Sequence, residues 1–166
     1  DLAMGEFLLD LAVGTSVMLI QPGDTLTPIR YTAIPSYHIC FDEGPNGVPD
    51  TVYRKLNRPF NVIQREWPDA DIPQRMIDDA KEDPTKKVGL IEATYTIDGQ
   101  MYYCLVTAEG DDKLVHRDLK SWPWVISRYM KASNERYGRG PVLYALADIR
   151  TLNKVGELTL KNASIS

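Results

Sequence analysis

The sequence predicts an α+β fold in which antiparallel β-meander sheets are combined with a short helical insert and a long C-terminal helix. Three observations lead to this prediction. Strand patterns and helix patterns come in separate blocks, a helical block over residues 59–84 interrupts the strands, and an amphipathic pattern follows Pro141. A chain of 166 residues with 43% hydrophobic residues has the length and composition of one domain around a single core, so residues 1–166 are predicted to form a single domain.

The N-terminal elements are a helix and then several strands. From Leu2 to Val13, apolar residues are spaced as one broad helical face, and Gly14 is expected to end the helix. Segments rich in β-formers follow, and turn-forming residues separate them, so we expect an antiparallel meander. The predicted strand segments are TSVMLIQ, LTPIRYTAI, SYHICFDE and TVYRKLN.

Two short helices are predicted for the insert. The segment RPFNVIQREW has Pro59 at a predicted first helical position and apolar residues at helical spacing after it. The segment IPQRMIDDAKED has a narrow apolar stripe, and Pro84 is expected to mark its end. Its acidic residues are interpreted as a solvated face; they are Asp78, Asp79, Glu82 and Asp83.

A second β block follows the insert. The segments VGLIEATYTI, QMYYCLVTA and KLVHRDL are joined by the hairpin signal DG and by the turn-like EGDD, and WPWVISRYM is interpreted as one more strand. Cys40 and Cys104 lie in strand-like apolar runs, where a buried free thiol is the ordinary interpretation. A disulfide between them is the less favoured alternative, because it needs an oxidising compartment.

Charge and hydropathy exclude several classes of protein. The formal net charge is −4, which provides no large positive field for tight binding to nucleic acid. The longest apolar stretch, from Phe7 to Ile20, is interrupted by polar residues, so no membrane segment is predicted. The chain lacks an initial methionine and ends within a helix-like pattern. We therefore expect it to be a piece of a longer protein.

No catalytic or metal-binding motif is recognisable. His38 and His116 lie in predicted strands without metal-ligand spacing, and no serine lies in a nucleophile motif. The prediction is a protein that is not an enzyme and has no cofactor or metal ion. A minor alternative is a metal-assisted hydrolase that uses Asp78, Asp79 and His116.

The segment YGRGP, Tyr137–Pro141, is the most distinctive local motif. It lacks the further glycines and the lysine of a phosphate-binding loop, so an architectural role is favoured: an open, flexible turn at Gly138 and Gly140 before a helix. Arg139 could contact a carboxylate or a phosphate, and a plain salt bridge is preferred. The helix has an apolar face suited to an interface or a core. That face consists of Leu146, Ile149, Leu152 and Val155.

The segments WPWVISRYMK and ERYGRGPVLYALADIRTLN resemble the podovirus-type phage portal proteins, a family of head-tail connectors. The specific match covers Trp122 to Asn153, and the order of the upstream elements is also similar. The resemblance implies a wing region from a longer portal subunit, with the clip, stem and crown outside this chain. It also implies a structural role without catalysis.

The resemblance further implies a set of partners and contact residues. Family members form a dodecameric ring in the virion, at the capsid portal vertex. Double-stranded DNA passes through the ring without sequence-specific contacts. The expected protein partners are terminase, capsid and tail proteins, with assembly in the bacterial cytoplasm and no membrane. The residues implied as structural motif and candidate subunit contact are Tyr137, Gly138, Arg139, Gly140, Pro141, Asp148, Leu152 and Asn153.

One alternative belongs to a different class of function. Aromatic residues in strands could form a surface that binds a peptide or a carbohydrate, although aromatic residues in strands more often belong to a core. The residues of this alternative are Tyr102, Tyr103, Trp122 and Trp124.

Overall fold

The computed structural model describes residues 2–83, 85–109 and 112–165, and it confirms the α+β class. In these ranges the helices are α1 (Leu2–Val13), α2 (Phe60–Glu66), α3 (Gln74–Glu82) and α4 (Pro141–Ile165). The strands are β1 (Thr15–Pro22), β2 (Ile29–Ile34), β3 (Ile39–Glu43), β4 (Pro49–Pro59), β5 (Lys87–Ile97), β6 (Gln100–Thr107), β7 (Lys113–Leu119) and β8 (Trp124–Arg128). Pro84, the predicted helix stop, and Gly110 and Asp111 of the predicted EGDD turn lie outside the described residues.

The chain divides into two compact units. Residues 2–34 and 124–165 form the first unit, whose sheet has the strand order β2-β1-β8, and residues 35–123 form the second, whose sheet has the order β3-β4-β5-β6-β7. The paired strands are antiparallel in both sheets. That residues 1–166 form a single domain stays a prediction, because the compactness of each unit does not show whether the two units unfold together.

The first unit is organised around β1. This strand is paired on both sides, with Met18 opposite Ala33 of β2 and Val125 of β8. Helix α1 contacts β1 and β2 and buries Phe7. The broad apolar face predicted for α1 is only partly covered, with Phe7 buried and Leu11 and Ala12 half-buried. Its exposed apolar residues include Leu2, Met4, Leu8, Leu9 and Val13.

The second unit packs α2 and α3 against one face of its five-stranded sheet. Its core alternates along the strands, as a sheet with one covered face requires. The buried cluster consists of Leu56, Phe60, Ile63, Trp67, Met76, Leu90, Tyr103, Leu105, Leu114 and Val115. The opposite face includes Cys40, which is exposed because it alternates with the buried Ile39 and Phe41. The prediction of a buried Cys40 is therefore wrong. Cys40 and Cys104 are both free thiols.

Two predicted boundaries differ from the structure. Pro59 is the last residue of β4 and precedes α2, whereas the sequence placed it inside the helix. It is drawn into the strand because pairing with β5 continues to Pro59 opposite Lys87. His38 lies in a turn of 3-10 helix over Ser36–His38, not in a strand, since β3 begins only at Ile39. No described helix has the length and apolar composition that crossing a bilayer requires.

Candidate functional site

The segment Tyr137–Pro141, which we call the junction, is fixed to the rest of the first unit by successive backbone amides. Each of three neighbouring N–H groups donates to a different part of the unit. The bonds run from Gly138 to Thr15 Oγ1 (2.7 Å), from Arg139 to the Met130 carbonyl (2.7 Å) and from Gly140 to the Val13 carbonyl (3.0 Å). The junction is therefore held at three consecutive positions just before α4 begins.

The glycines of the junction permit close contact between two backbones. A Cβ on Gly138 would lie 2.3 Å from the Gly14 carbonyl oxygen, and a Cβ on Gly140 would lie 2.1 Å from that of Ala12. Neither junction glycine has a positive φ. The predicted open and flexible turn is thus wrong: these positions need glycine because there is no room for a side chain.

Gly14 is the matching residue on the other side of this contact. It has a φ of +151°, which favours glycine, and its N–H donates to the Asp10 carbonyl, so that it ends α1 as predicted. Its own carbonyl accepts the N–H of Tyr129 at 2.9 Å. Gly14 therefore joins the end of α1 to the segment that follows β8.

Arg139 forms the salt bridge that the sequence favoured. Its guanidinium donates through Nε to Glu135 Oε2 at 2.9 Å and through Nη2 to Glu135 Oε1. Hydrogen bonding to Glu135 is the main cause that raises the pKa of Arg139, and the same bonds lower the pKa of Glu135. Both side chains are exposed to solvent, so the pair orients the junction more than it stabilises the fold.

Helix α4 contacts α1 and is otherwise exposed along its length. Leu146 is half-buried, and every other described side chain of the helix is exposed. The predicted apolar face exists, but Ile149, Leu152 and Val155 are 41%, 71% and 55% exposed. The interpretation as a core helix is therefore wrong for this chain, and the interpretation as an interface helix stays a prediction.

The remaining predicted contact residues lie in the junction, at the start of α4 and in the middle of α4. Tyr137 is 42% exposed in the junction, and Pro141 is the first residue of α4. Asp148, Leu152 and Asn153 are exposed along α4, apart from the junction glycines. Their contact with another subunit stays a prediction.

A buried polar network crosses the core of the second unit. Trp67 Nε1 donates to Tyr103 Oη at 2.9 Å, and Tyr103 Oη donates to Glu92 Oε1 at 3.0 Å. Arg54 Nη1 approaches Glu92 Oε2 at 3.5 Å. Burial raises the pKa of Glu92, with Arg54 acting in the opposite direction, and burial also raises the pKa of Tyr103. The network ties the end of α2 to the central strands.

The sites of the alternative functions are only partly assembled. Tyr103 and Trp124 are buried, so the predicted aromatic binding surface is wrong for these two residues, whereas Tyr102 and Trp122 are half-buried. The cause is strand alternation, which turns Tyr103 into the core and its neighbour Tyr102 to the opposite face.

Asp78 and Asp79 of α3 form ordinary surface pairs. Asp78 accepts from Lys81 Nζ at 2.8 Å, and Asp79 accepts from Lys86 Nζ at 2.9 Å. His116 is instead stacked on Tyr102. Within the ranges that the structure describes, no three His, Cys, Asp or Glu side chains are arranged to hold a metal ion.

A cleft of about 350 Å³ lies beside α3 in the second unit. Its lining includes the apolar side chains of Phe60, Met76 and Val88. Its rim includes the ion pairs Arg75–Asp112 and Lys86–Asp79. These charges compensate one another and give the cleft no single electrostatic preference.

Sequence reasoning missed three residues that shape the junction. Gly14 was recognised as a helix end but not as a contact of Gly138, and nothing local in the sequence signals a contact across 124 positions. Thr15, which accepts the Gly138 N–H, has no local signal in the sequence that would point to this contact. Glu135 could have been found, because it precedes Arg139 by four residues, a common spacing for ion pairs.

Comparison with known proteins agrees with the resemblance noted in the sequence. The sequence model of one family, described as bacteriophage head to tail connecting protein, matches residues 2–166. No curated protein matches the chain significantly.

Proposed function

Because the chain belongs to the family of bacteriophage head to tail connecting proteins, we propose that it is the wing region of a portal subunit. As a family member it is a structural component of the virion. In the proposal, copies of the longer protein form a dodecameric ring at one vertex of the capsid. Double-stranded DNA is packaged and ejected through this ring, which also serves as the docking platform for terminase and tail proteins.

The observation that carries the proposal is the exposed helix α4 on a fixed base. Its 25 residues include eight large apolar side chains that are at least 40% exposed. An isolated helix gains little stability without tertiary packing, and large exposed apolar surfaces mark sites of association. The junction sets the direction of this helix through backbone contacts, as a subunit that repeats identically in an assembly requires.

The charge of the chain supports the proposed relation to DNA. A net charge of −4 gives no general attraction to a polymer that carries one charge per about 1.7 Å of its axis. Such a subunit allows DNA to slide through a ring without gripping it. The proposal places assembly in the cytoplasm of the host bacterium.

The proposal is tested on the full-length protein that contains this chain. Electron micrographs of the purified protein are expected to show rings with a central channel and twelve subunits. Gly140→Val, which inserts a branched side chain against the Ala12 backbone, is expected to abolish folding or ring formation, whereas Gly5→Ala is the matched control because a Cβ at that position meets nothing within 4 Å. A full-length protein that remains monomeric, or a Gly140→Val variant that melts and assembles normally, would contradict the proposal.

A second candidate function is a binding face on the uncovered side of the second sheet. Tyr95, Tyr102 and His116 stack across three strands, with ring centroids 5.6 and 5.7 Å apart, and Tyr95 Oη lies 3.2 Å from His116 Nε2. This row of stacked rings keeps Tyr102 of the four aromatic residues expected from sequence and adds Tyr95 and His116. Titration with oligosaccharides and peptides, followed by NMR, tests it. Shifts at these three residues that are lost in Tyr102→Ala would support binding, and an unperturbed spectrum would reject it.

A further inference from the structure

Seven residues of α4 recur at alternating intervals of four and three, the spacing of a coiled-coil seam. They are Val142, Leu146, Ile149, Asn153, Gly156, Leu160 and Ala163. At 3.6 residues per turn these positions lie on one side of the helix, which we call the seam. Asn153 is its one polar member, near the middle. A single asparagine in such a seam fixes the register of the packed helices at a cost in stability.

The opposite side of α4 is also apolar. A second strip, which we call the back strip, consists of Tyr144, Ala147, Val155 and Leu158, and Thr151 lies within it. These residues are about half a turn away from the seam, and all of them are exposed. A helix that is apolar on two opposite sides needs a covering surface on each side.

We propose that the seam of one copy packs on the back strip of a second copy of this chain. The contact is heterologous, so each copy uses its seam toward one neighbour and its back strip toward the other, and the repeated contact closes into a ring. A two-fold contact of seam with seam would cover one side of α4 and leave the back strip exposed. The inference rests on the proposed function and identifies the surfaces through which its ring forms.

Three charged residues in the C-terminal half of α4 fit this arrangement. Glu157 flanks the seam, whereas Lys154 and Lys161 flank the back strip on the same lateral side of the helix. Within one chain these lysines already bond Glu157, at 2.9 and 3.1 Å. When parallel helices pack seam to back strip, Glu157 of one copy lies next to the lysines of the adjacent copy. The same charges therefore complement each other across the contact.

The dimensions of α4 set the area of each contact. A helix of 25 residues is about 37 Å long, and a strip roughly 10 Å wide along it covers several hundred Å². Each contact takes one such strip from each copy and so covers about half of the ~800 Å² per partner of a typical stable interface, and every copy makes two such contacts.

Cysteine cross-linking of the full-length protein tests the pairing. The background carries Cys40→Ser and Cys104→Ser, together with serine at any cysteine elsewhere in the full chain. Leu160→Cys places a thiol on the seam and Leu158→Cys places one on the back strip, close to the same height along the helix. With a short bis-maleimide, the double variant is expected to give a ladder of multimers up to the closed ring. Each single variant, as the matched control, is expected to stay monomeric on a denaturing gel.

The possible outcomes separate this inference from the proposed function. Dimers formed by Leu160→Cys alone would show a two-fold seam contact and overturn the heterologous pairing. Rings in micrographs without a cross-linked ladder would overturn the role of α4 while leaving the proposed function intact. The absence of rings from the unmodified protein would instead contradict the proposed function itself.

The role of Asn153 has a readout of its own. In an Asn153→Leu background the register of the packed helices is no longer specified. We therefore expect the thiol of Leu160→Cys to cross-link to Thr151→Cys as well as to Leu158→Cys. Position 151 lies one heptad before position 158. Circular dichroism confirms that the variant keeps its helix. An unchanged cross-linking pattern would show that Asn153 does not fix the register.

Discussion

Gly140 lies against the backbone of Ala12 so closely that a Cβ on Gly140 would come within 2.1 Å of the Ala12 carbonyl oxygen. Both partners are main chain, so no change of rotamer can relieve the clash. The end of α1 and the start of α4 are therefore fixed relative to each other within the first unit.

Replacing Gly140 with alanine is expected to destabilise the chain by about 3 kcal/mol or more, because one backbone must move away from the other. Urea unfolding measures the change. Gly5→Ala is the matched control in an exposed helical position with open space, and there alanine is expected to stabilise by up to about 1 kcal/mol. Equal effects of the two substitutions would show that the contact at Gly140 is not close-packed.

Removing the hydroxyl of Thr15 is expected to leave the Gly138 N–H without its acceptor. Thr15 is 5% exposed, so Thr15→Val should lower the free energy of unfolding by about 1–3 kcal/mol. Thr15→Ser keeps the hydroxyl and should retain more of the stability. If valine and serine were equivalent, the hydrogen bond at 2.7 Å would contribute nothing.

The pair of Arg139 and Glu135 predicts a shift in titration. Arg139→Gln should raise the pKa of Glu135 toward its ordinary value, because the hydrogen bonds from Arg139 are the main cause that lowers it. A lowered folded pKa means that the pair stabilises the fold above the ordinary glutamate pKa and that this contribution is lost as the pH falls. NMR titration of the Glu135 carboxyl measures the shift, and high salt should reduce it. An identical titration in both proteins would rule out the pair in solution.

The buried network predicts a specific cost for one hydroxyl group. Tyr103→Phe removes the acceptor of Trp67 and the donor to Glu92, so it should destabilise by about 1–3 kcal/mol. Tyr53→Phe is the control, because Tyr53 is 47% exposed on the same sheet. In a background with Trp122→Phe and Trp124→Phe, the fluorescence of Trp67 during unfolding reports on this unit. Similar losses in both variants would indicate that the network is not formed.

Glu92 predicts the pH dependence of the same network. Burial raises its folded pKa above the unfolded value, so the folded state binds a proton more readily than the unfolded state. The contribution of Glu92 to the free energy of unfolding is therefore fully present below the pKa of Glu92 in the unfolded chain. It is lost as the pH rises through the pKa of Glu92 in the folded chain. Unfolding followed across this window should show the loss in the original chain and not in Glu92→Gln. Parallel curves would refute the assignment.

Several features could be predicted because their causes are local. The hairpin at Asp98 and Gly99 was predicted from the two-residue turn signal, and both residues have a positive φ in the structure. The end of α1 at Gly14 and the helix after Pro141 were predicted from helix termination and initiation signals. The salt bridge of Arg139 was preferred because the motif lacks the remaining elements of a phosphate loop.

Other features depend on contacts between distant segments. The predicted meander is interrupted after β2, since β8 returns to pair with β1 across more than a hundred residues. The exposure of the apolar residues of α1 and α4 also could not be predicted, because an amphipathic pattern does not show whether its partner belongs to the same chain. The heptad seam is a partial exception: its spacing can be recognised in the sequence once most of the helix is known to be exposed.

By itself, the sequence determined the α+β class, the helical insert and the family, since these depend on local propensity and on motif residues that are neighbours along the chain. Tertiary structure decided why Gly138 and Gly140 must be glycine, which aromatic residues lie in the core, and that α4 is left uncovered. The physical reason is that packing is a property of pairs of surfaces. The backbone of Ala12 packs against Gly140 from a distant part of the chain, so the residues next to Gly140 in the sequence do not indicate this contact.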